Sequence, residues 1–168
     1  MSERVYLSLG SNVGDPEGQL RSAVERLRDL GNVILVSSHF ETEPVEFTEQ
    51  AWFRNCAVAL ETTLEPLKLL ERLLTIEREM GRQRTQDKGP RTIDIDILLF
   101  GDRVIDATGL RIPHPAMAQR RFVLEPLSEI APNVVHPVLG KTVRELLDAL
   151  PPGQIVRRVE RSGPGDQA

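Results

Sequence analysis

An α+β sandwich built in the order β-α-β-β-α-β is what this 168-residue sequence predicts. Three observations carry the prediction. Short segments with apolar residues two apart alternate with longer ones whose apolar residues recur at helical spacing. Glycine or proline stands at most of the junctions between them. No segment repeats and no interdomain linker interrupts the chain, so a single domain accounts for its length.

The first strand covers residues 4–10, where Val5, Leu7 and Leu9 alternate with polar or amphipathic neighbours. A turn at 10–14 leads to Asp15 as a helix N-cap, with Pro16 at the first helical position and Glu17 in the first turn. Leu20, Val24 and Leu27 share one face of that helix, which stops at Gly31. A second strand, rich in β-branched residues, runs over 33–38. Residues 41–52 read as a loop, with Pro44 among glutamates and few apolar residues. A third strand covers 53–63. Pro66 opens a second helix, on which Leu67, Leu70 and Leu74 line up with Glu77, and which ends at Gly81. A polar loop over 82–91 precedes a fourth strand over 92–100. This order is that of a ferredoxin-like βαββαβ sandwich, an antiparallel sheet with helices packed on one face. A hairpin near Asp102, turns at Pro113 and Pro115, and a last helix extend it. That helix opens at Thr142 with a capping box to Glu145 and carries Val143, Leu146, Leu147 and Leu150. The domain is expected over 1–150, with a disordered tail over 151–168.

Composition narrows the function. Apolar residues at 40% and charged ones at 27% are ordinary for a globular chain. A chain of this size buries roughly two-thirds of its unfolded surface and needs neither disulfide nor structural metal. Cys56 is the only cysteine, which excludes an internal disulfide and a cysteine-based zinc site. No apolar stretch approaches the roughly 18 residues of a membrane span. Met1-Ser2-Glu3-Arg4 leads straight into a strand and not into a signal peptide. A net charge of −4 argues against a general nucleic-acid binder. The expectation is a cytoplasmic monomer acting on small molecules, with neither nucleic acid nor membrane as partner.

The most informative stretch is Gly89-Pro90-Arg91-Thr92-Ile93-Asp94-Ile95-Asp96. On a strand Asp94 and Asp96 point one way while Ile93, Ile95 and Ile97 point the other. Two residues of strand rise roughly 6.6 Å. Carboxylates at that spacing can bracket two Mg²⁺ ions about 3.5–4 Å apart, a clamp for transferring phosphates. An amphipathic strand with a wet face is the plain alternative, although aspartate is disfavoured in strands. The adjoining loop favours phosphate chemistry: Arg82, Arg84, Lys88 and Arg91 face one acid, Asp87, and guanidinium forks grip phosphate oxygens. Gly81 and Gly89-Pro90 border it as a mobile lid would require. His114 sits between Pro113 and Pro115, close in sequence to Arg111, Arg120 and Arg121, whereas His39 and His136 read as structural. Phe53 and Phe122 border these segments and suit either core packing or stacking on a flat heterocycle. Gly140-Lys141-Thr142 only imitates a phosphate-binding P-loop, since Val135 stands where its first glycine belongs.

Together these segments resemble the 6-hydroxymethyl-7,8-dihydropterin pyrophosphokinase family. The matching pieces are Leu9-Gly10-Ser11-Asn12, Thr42 with Pro44-Val45, Phe53-x-Asn55, Ile76-Glu77 with Gly81-Arg82, Gly89 to Asp96, Pro113-His114-Pro115, and Arg120 to Leu127. They span nearly the whole chain, but not the tail after Leu150. The resemblance implies transfer of the terminal two phosphates of ATP to the pterin's hydroxymethyl oxygen, with release of AMP. It implies that Asp94 and Asp96 hold two Mg²⁺ ions, that Arg82, Arg91, His114 and Arg120 contact phosphates, and that Arg84 and Glu77 lie near the nucleotide. It places the pterin between Phe53 and Phe122, read by Asn55 and by backbone near Thr42 and Val45. The loops at 43–52 and 82–91 would close over the substrates. Three departures from the family pattern stand out. Glu46 follows Pro44-Val45 where many relatives have glycine, 82–91 lacks an aromatic, and Leu74 and Gly109 replace polar nucleotide contacts. Two other readings compete: a metal-dependent phosphohydrolase or nucleotidyltransferase using the same clamp, and a non-catalytic module binding a ligand or RNA. Scarce aromatics, at 4% of the chain, and an acidic charge disfavour the RNA-binding form.

Overall fold

The computed structural model describes residues 1–43, 52–81 and 92–159. Strand β1 (Glu3–Ser11) lies between β4 (Phe53–Thr62) and β5 (Asp94–Phe100), antiparallel to both. On its far side β4 pairs with β2 (Asn32–Val36) along one half and β3 (Phe40–Thr42) along the other. A last strand, β8 (Val156–Arg158), pairs with β3. The β5-β1-β4-β2 order with antiparallel neighbours is the ferredoxin-like arrangement expected from the sequence.

Helices α1 (Pro16–Leu27) and α2 (Pro66–Glu79) cover one face. Val5, Leu7 and Leu9 of β1 meet Leu20, Ala23 and Leu27 of α1 and Leu69, Leu73 and Ile76 of α2 in one buried cluster. Cys56 belongs to it, and complete burial pushes its thiol up to about 12, which leaves it inert. Helices α3 (Arg121–Ile130) and α4 (Val143–Asp148) cover the opposite face, over a second cluster of Tyr6, Ala57, Ala59, Leu98 and Leu99. The sheet therefore carries helices on both faces and not on one. The reason is legible in β1 and β4, whose odd and even positions are both buried through most of their length. No helix among the described residues is long and apolar enough to cross a membrane.

Several elements differ from expectation. The buried stripe of α2 is Pro66, Leu69, Leu73, Ile76 and Glu77, while Leu67 is exposed. This leucine-rich segment offers two helical phases, and packing on the sheet selects between them. Strand β3 falls partly within the segment read as a loop. The expected hairpin starts three residues later, as β6 (Ile105–Ala107) and β7 (Leu110–Ile112), after a turn at Gly101. Strand β8 lies inside the segment expected to be a disordered tail. Asp15 occupies the N-cap position of α1 but its side chain makes no capping bond. At α4 both arms of the capping box form: Thr142 N–H donates to Glu145 Oε1 at 2.8 Å and Glu145 N–H to Thr142 Oγ1 at 3.1 Å. Gly140-Lys141-Thr142 thus serves a helix start. His136, read as structural, is buried and its Nδ1 accepts the Val138 and Leu139 N–H groups.

The connection from α1 to β2 passes hard against β4. A Cβ on Gly31 would lie 2.1 Å from the Glu61 carbonyl oxygen and 3.1 Å from Thr62 Cα, both fixed in a central strand. Gly31→Ala is expected to cost about 1–3 kcal/mol through the backbone shift it forces. A thermal melt of this variant coinciding with that of the parent chain would show that the connection yields freely.

Candidate active site

The second face of the sheet is divided in two by the residues that its strands bring into register. Across β5, β1 and β4 the first level is Leu99, Tyr6 and Ala59, all part of the cluster beneath α3 and α4. The next is Asp96, Ser8 and Ala57, and the third is Asp94, Gly10 and Asn55, extended by Phe40 of β3. One level further, Phe53 of β4 faces Thr42 of β3. β5 and β1 thus change from apolar to polar at the second level and β4 at the third. Alternation along the strands puts Asp94, Asp96, Asn55, Phe53 and Thr42 on one surface, as their spacing predicts for the aspartates.

Small residues make the floor of this polar half. A Cβ on Gly10 would sit 2.7 Å from Asn55 Nδ2, so glycine is what lets the amide lie across β1. The buried Thr42 hydroxyl donates to Asn55 Oδ1 at 2.7 Å, fixing the amide from the other side. With its oxygen engaged, Asn55 presents Nδ2 as a donor. Gly10 lies in the segment Leu9 to Asn12, and its part in the site emerges only from the fold. Its only sequence signal is a glycine inside a strand pattern.

Strand β5 is an edge strand, and three features fix its course. Glu77 of α2, 3% exposed, accepts the Ile95 N–H at 2.7 Å with Oε2, between the two aspartates. A bulge opposite Tyr6 and Leu7 places both Leu98 and Leu99 in the second cluster. The Leu98 carbonyl accepts the His114 N–H at 2.9 Å, which seats the Pro113-His114-Pro115 segment along the free edge. A cavity of about 460 Å³ opens beside this edge. Asp96 and His114 line it together with Leu70, Ile97, Thr108 and Arg111. Its volume is typical of small-molecule sites, with apolar walls for a flat group and an ionic end for a charged one. Gly109 lies in its lining and Leu74 does not, so Leu70 is the α2 residue that takes part.

His114 is half-buried, and its Nδ1 accepts the Ala116 N–H at 3.1 Å. Burial, and then the nearby positive charge of Arg120, push its pKa below the usual histidine value. The neutral ring that results carries its proton on Nε2, a donor suited to an anionic oxygen. The Arg120 guanidinium lies over the Phe122 ring, 5.5 Å from its centroid. His114, Arg120 and Phe122 are thereby linked. Val45, Arg82, Arg84 and Arg91 lie outside the described residues, as do Glu46 and Lys88.

The described residues contain no group of three or more His, Cys, Asp or Glu placed to hold a metal ion. Asp94 and Asp96 on one face nevertheless suit Mg²⁺, which takes one or two carboxylates and completes its shell with water and phosphate oxygens.

Comparison with known proteins agrees with this chemistry. The profile of the family described as 7,8-dihydro-6-hydroxymethylpterin-pyrophosphokinase (HPPK) matches residues 6–132. The 2-amino-4-hydroxy-6-hydroxymethyldihydropteridine pyrophosphokinase of Bacillus subtilis is 48% identical over 136 residues, covering 80% of this chain and 81% of its own. The protein of the same name from Methylorubrum extorquens is 45% identical over 156 residues, covering 92% and 98%. The folic acid synthesis protein fol1 of Schizosaccharomyces pombe is 43% identical over 148 residues, 87% of this chain but 20% of that longer protein. Among solved structures, Plasmodium falciparum HPPK-DHPS with pteroate superposes with a TM-score of 0.71 at 19% identity, over 88% of this chain and 42% of that one. At that identity the likeness concerns the fold.

The tautomer and charge of His114 are open to test. With its pKa lowered in the folded state, His114 favours folding above about pH 6.5, and that contribution is lost as pH falls through the folded value. Nitrogen-15 NMR is expected to show the Nε2-protonated neutral ring at pH 7 and a midpoint below that of free histidine. Arg120→Ala is expected to raise the midpoint only part of the way, because burial is the larger cause. A midpoint at or above the free value would contradict this electrostatic assignment.

Proposed function

The chain belongs to the 7,8-dihydro-6-hydroxymethylpterin-pyrophosphokinase family, and on that premise we propose that it transfers pyrophosphate from ATP to 6-hydroxymethyl-7,8-dihydropterin in folate biosynthesis. The hydroxymethyl oxygen bonds to the β-phosphorus of ATP. The bond from that phosphorus to the oxygen bridging to the α-phosphate breaks, AMP leaves with that oxygen, and the hydroxyl proton passes to water. What supports this reading above all is the shared surface of Asp94 and Asp96 with the Thr42–Asn55 pair: phosphate-side and heterocycle-side chemistry on one sheet face.

In this reading Asn55 Nδ2 donates to the hydrogen-bonding edge of the pterin, while Phe53 and Phe122 stack on its faces. Arg120, already over Phe122, reaches from the ring toward the phosphates. His114 Nε2–H donates to a phosphate oxygen in the cavity that it shares with Asp96. The purine would lie against Leu70 and Ile97. Asp94 and Asp96 would hold two Mg²⁺ ions, which neutralise phosphate charge and make the attacking hydroxyl more acidic. Glu77 fixes the backbone that carries both aspartates, and no dedicated general base is assigned. Arg82 and Arg91 complete the phosphate grip and Arg84 lies beside the nucleotide, while the segment around Val45 supplies further pterin contacts. The protein works as a cytoplasmic monomer on small molecules.

Incubation with ATP, Mg²⁺ and the pterin is expected to give AMP only when the pterin is present, one AMP per pterin pyrophosphorylated. Asp94→Asn and Asp96→Asn are each expected to lower turnover by more than about a hundredfold with the fold retained, as seen by circular dichroism. ADP, free pyrophosphate or pterin-independent turnover would overturn the reading in favour of a hydrolase or nucleotidyltransferase. Near-normal activity of both variants would remove the metal-binding role.

A further inference from the structure

The C-terminal strand engages the pterin side of the site at every position from Ser38 to Glu43. Arg158 Nε donates to Ser38 Oγ at 3.1 Å, and Val159 N–H to the His39 carbonyl at 2.9 Å. Phe40, Glu41 and Thr42 pair with Arg158, Arg157 and Val156. Glu43 is held three times. Its N–H donates to the Ile155 carbonyl at 3.1 Å, its Oε1 accepts the Ile155 N–H at 2.7 Å, and its carbonyl accepts Gln154 Nε2 at 2.8 Å. Arg157 also donates to Glu41 Oε1 at 3.2 Å and lies over the Trp52 ring, 4.5 Å from its centroid. Trp52 directly precedes Phe53, so β8 grips the chain beside both β3 and the start of β4.

Without these contacts the only strand pairing of β3 among the described residues would be its three residue pairs with β4. So short an edge strand is weakly specified in position. Yet β3 carries Thr42, whose hydroxyl orients Asn55, and Phe40, which extends the level containing Asp94 and Asn55. None of 154–159 lies within the residues that the family profile matches, 6–132. None of Gln154 to Val159 lines the cavity that Asp96 shares with His114.

We propose that residues 154–159 form a positioning element for the pterin half of the site, with Gln154 and Arg157 as its positioning residues. By holding β3 in register they keep the Thr42–Asn55 pair ready to receive the heterocycle, so that less ordering is left for binding. The nucleotide half, built on β5, α2 and the β6–β7 hairpin, does not depend on them. The inference rests on the pyrophosphokinase reading given above.

The test is calorimetry of two ligands on three proteins: the full chain, the chain ending at Gly153, and the full-length Gln154→Ala/Arg157→Ala variant. One titration uses Mg²⁺ with a non-hydrolysable ATP analogue, and the other uses 6-hydroxymethyl-7,8-dihydropterin in the presence of that analogue. The shortened chain is expected to bind the pterin about tenfold more weakly and the nucleotide within about twofold of the parent. The double variant is expected to move the same way by a smaller factor. It decides the question if the shortened chain does not fold. Unchanged pterin affinity, or equal loss for both ligands, overturns the proposal. Failure of the full chain itself to bind the pterin would overturn the pyrophosphokinase reading and with it the ground of this inference.

Discussion

The pairing of β1 with both β4 and β5 in one register is the constraint from which the site follows. A slip of one residue on either side would turn Asp94 and Asp96, or Asn55, onto the face covered by α1 and α2. That slip is opposed by burial, since Ile95 and Ile97 of β5, or Cys56 and Val58 of β4, would then leave the first cluster for the other face. The apolar core therefore sets where the polar residues meet. Ser8, Gly10 and Ala57 form a floor of small residues between the carboxylates and the amide.

Edge strand β5 carries the two aspartates and, among the described residues, has no strand on its outer side. An unsupported edge would be a poor platform for two carboxylates with a fixed spacing. Here the supports come from different layers. Glu77 reaches from the α2 layer to the Ile95 N–H, and the His114 segment closes the edge at Leu98. The second contact ties His114 to the same strand as the aspartates. A shift of β5 would carry both groups together.

Much of this was legible in the sequence because it depends on local periodicity. Alternation over the strands, prolines at the helix starts and the Thr142–Glu145 box each occupy a few consecutive residues, and each holds in the structure. Asp94 and Asp96 were legible for the same reason, being two apart on one strand. What escaped depends on partners distant in sequence. Strands β3 and β8 have three residues each, too few to show a period, and exist because they pair with each other and with β4. Helix α3 contains Pro126, which reads as a break and cannot donate to the Phe122 carbonyl, yet Val123, Leu124 and Leu127 bury enough surface to keep the turn helical. The α2 face was misread because Leu67, Leu70 and Leu74 offer a stripe as regular as the one that packs. Glu77 belongs to both stripes, and only the fold shows that its Oε2 accepts a backbone N–H.

The electrostatic arrangement around His114 follows from these supports. A permanently charged histidine beside Arg120 would be held in a half-buried place where its repulsion is poorly screened. A neutral ring with Nδ1 occupied by Ala116 avoids that cost and still offers one N–H of fixed direction. The arginines supply charge, while the histidine supplies direction. The separation of roles requires that Arg120 stay close, and its seat over Phe122 keeps it there. Through that stack the aromatic ring and the charge share one short stretch of chain, from His114 to Phe122, anchored at one end by β5 and at the other by α3.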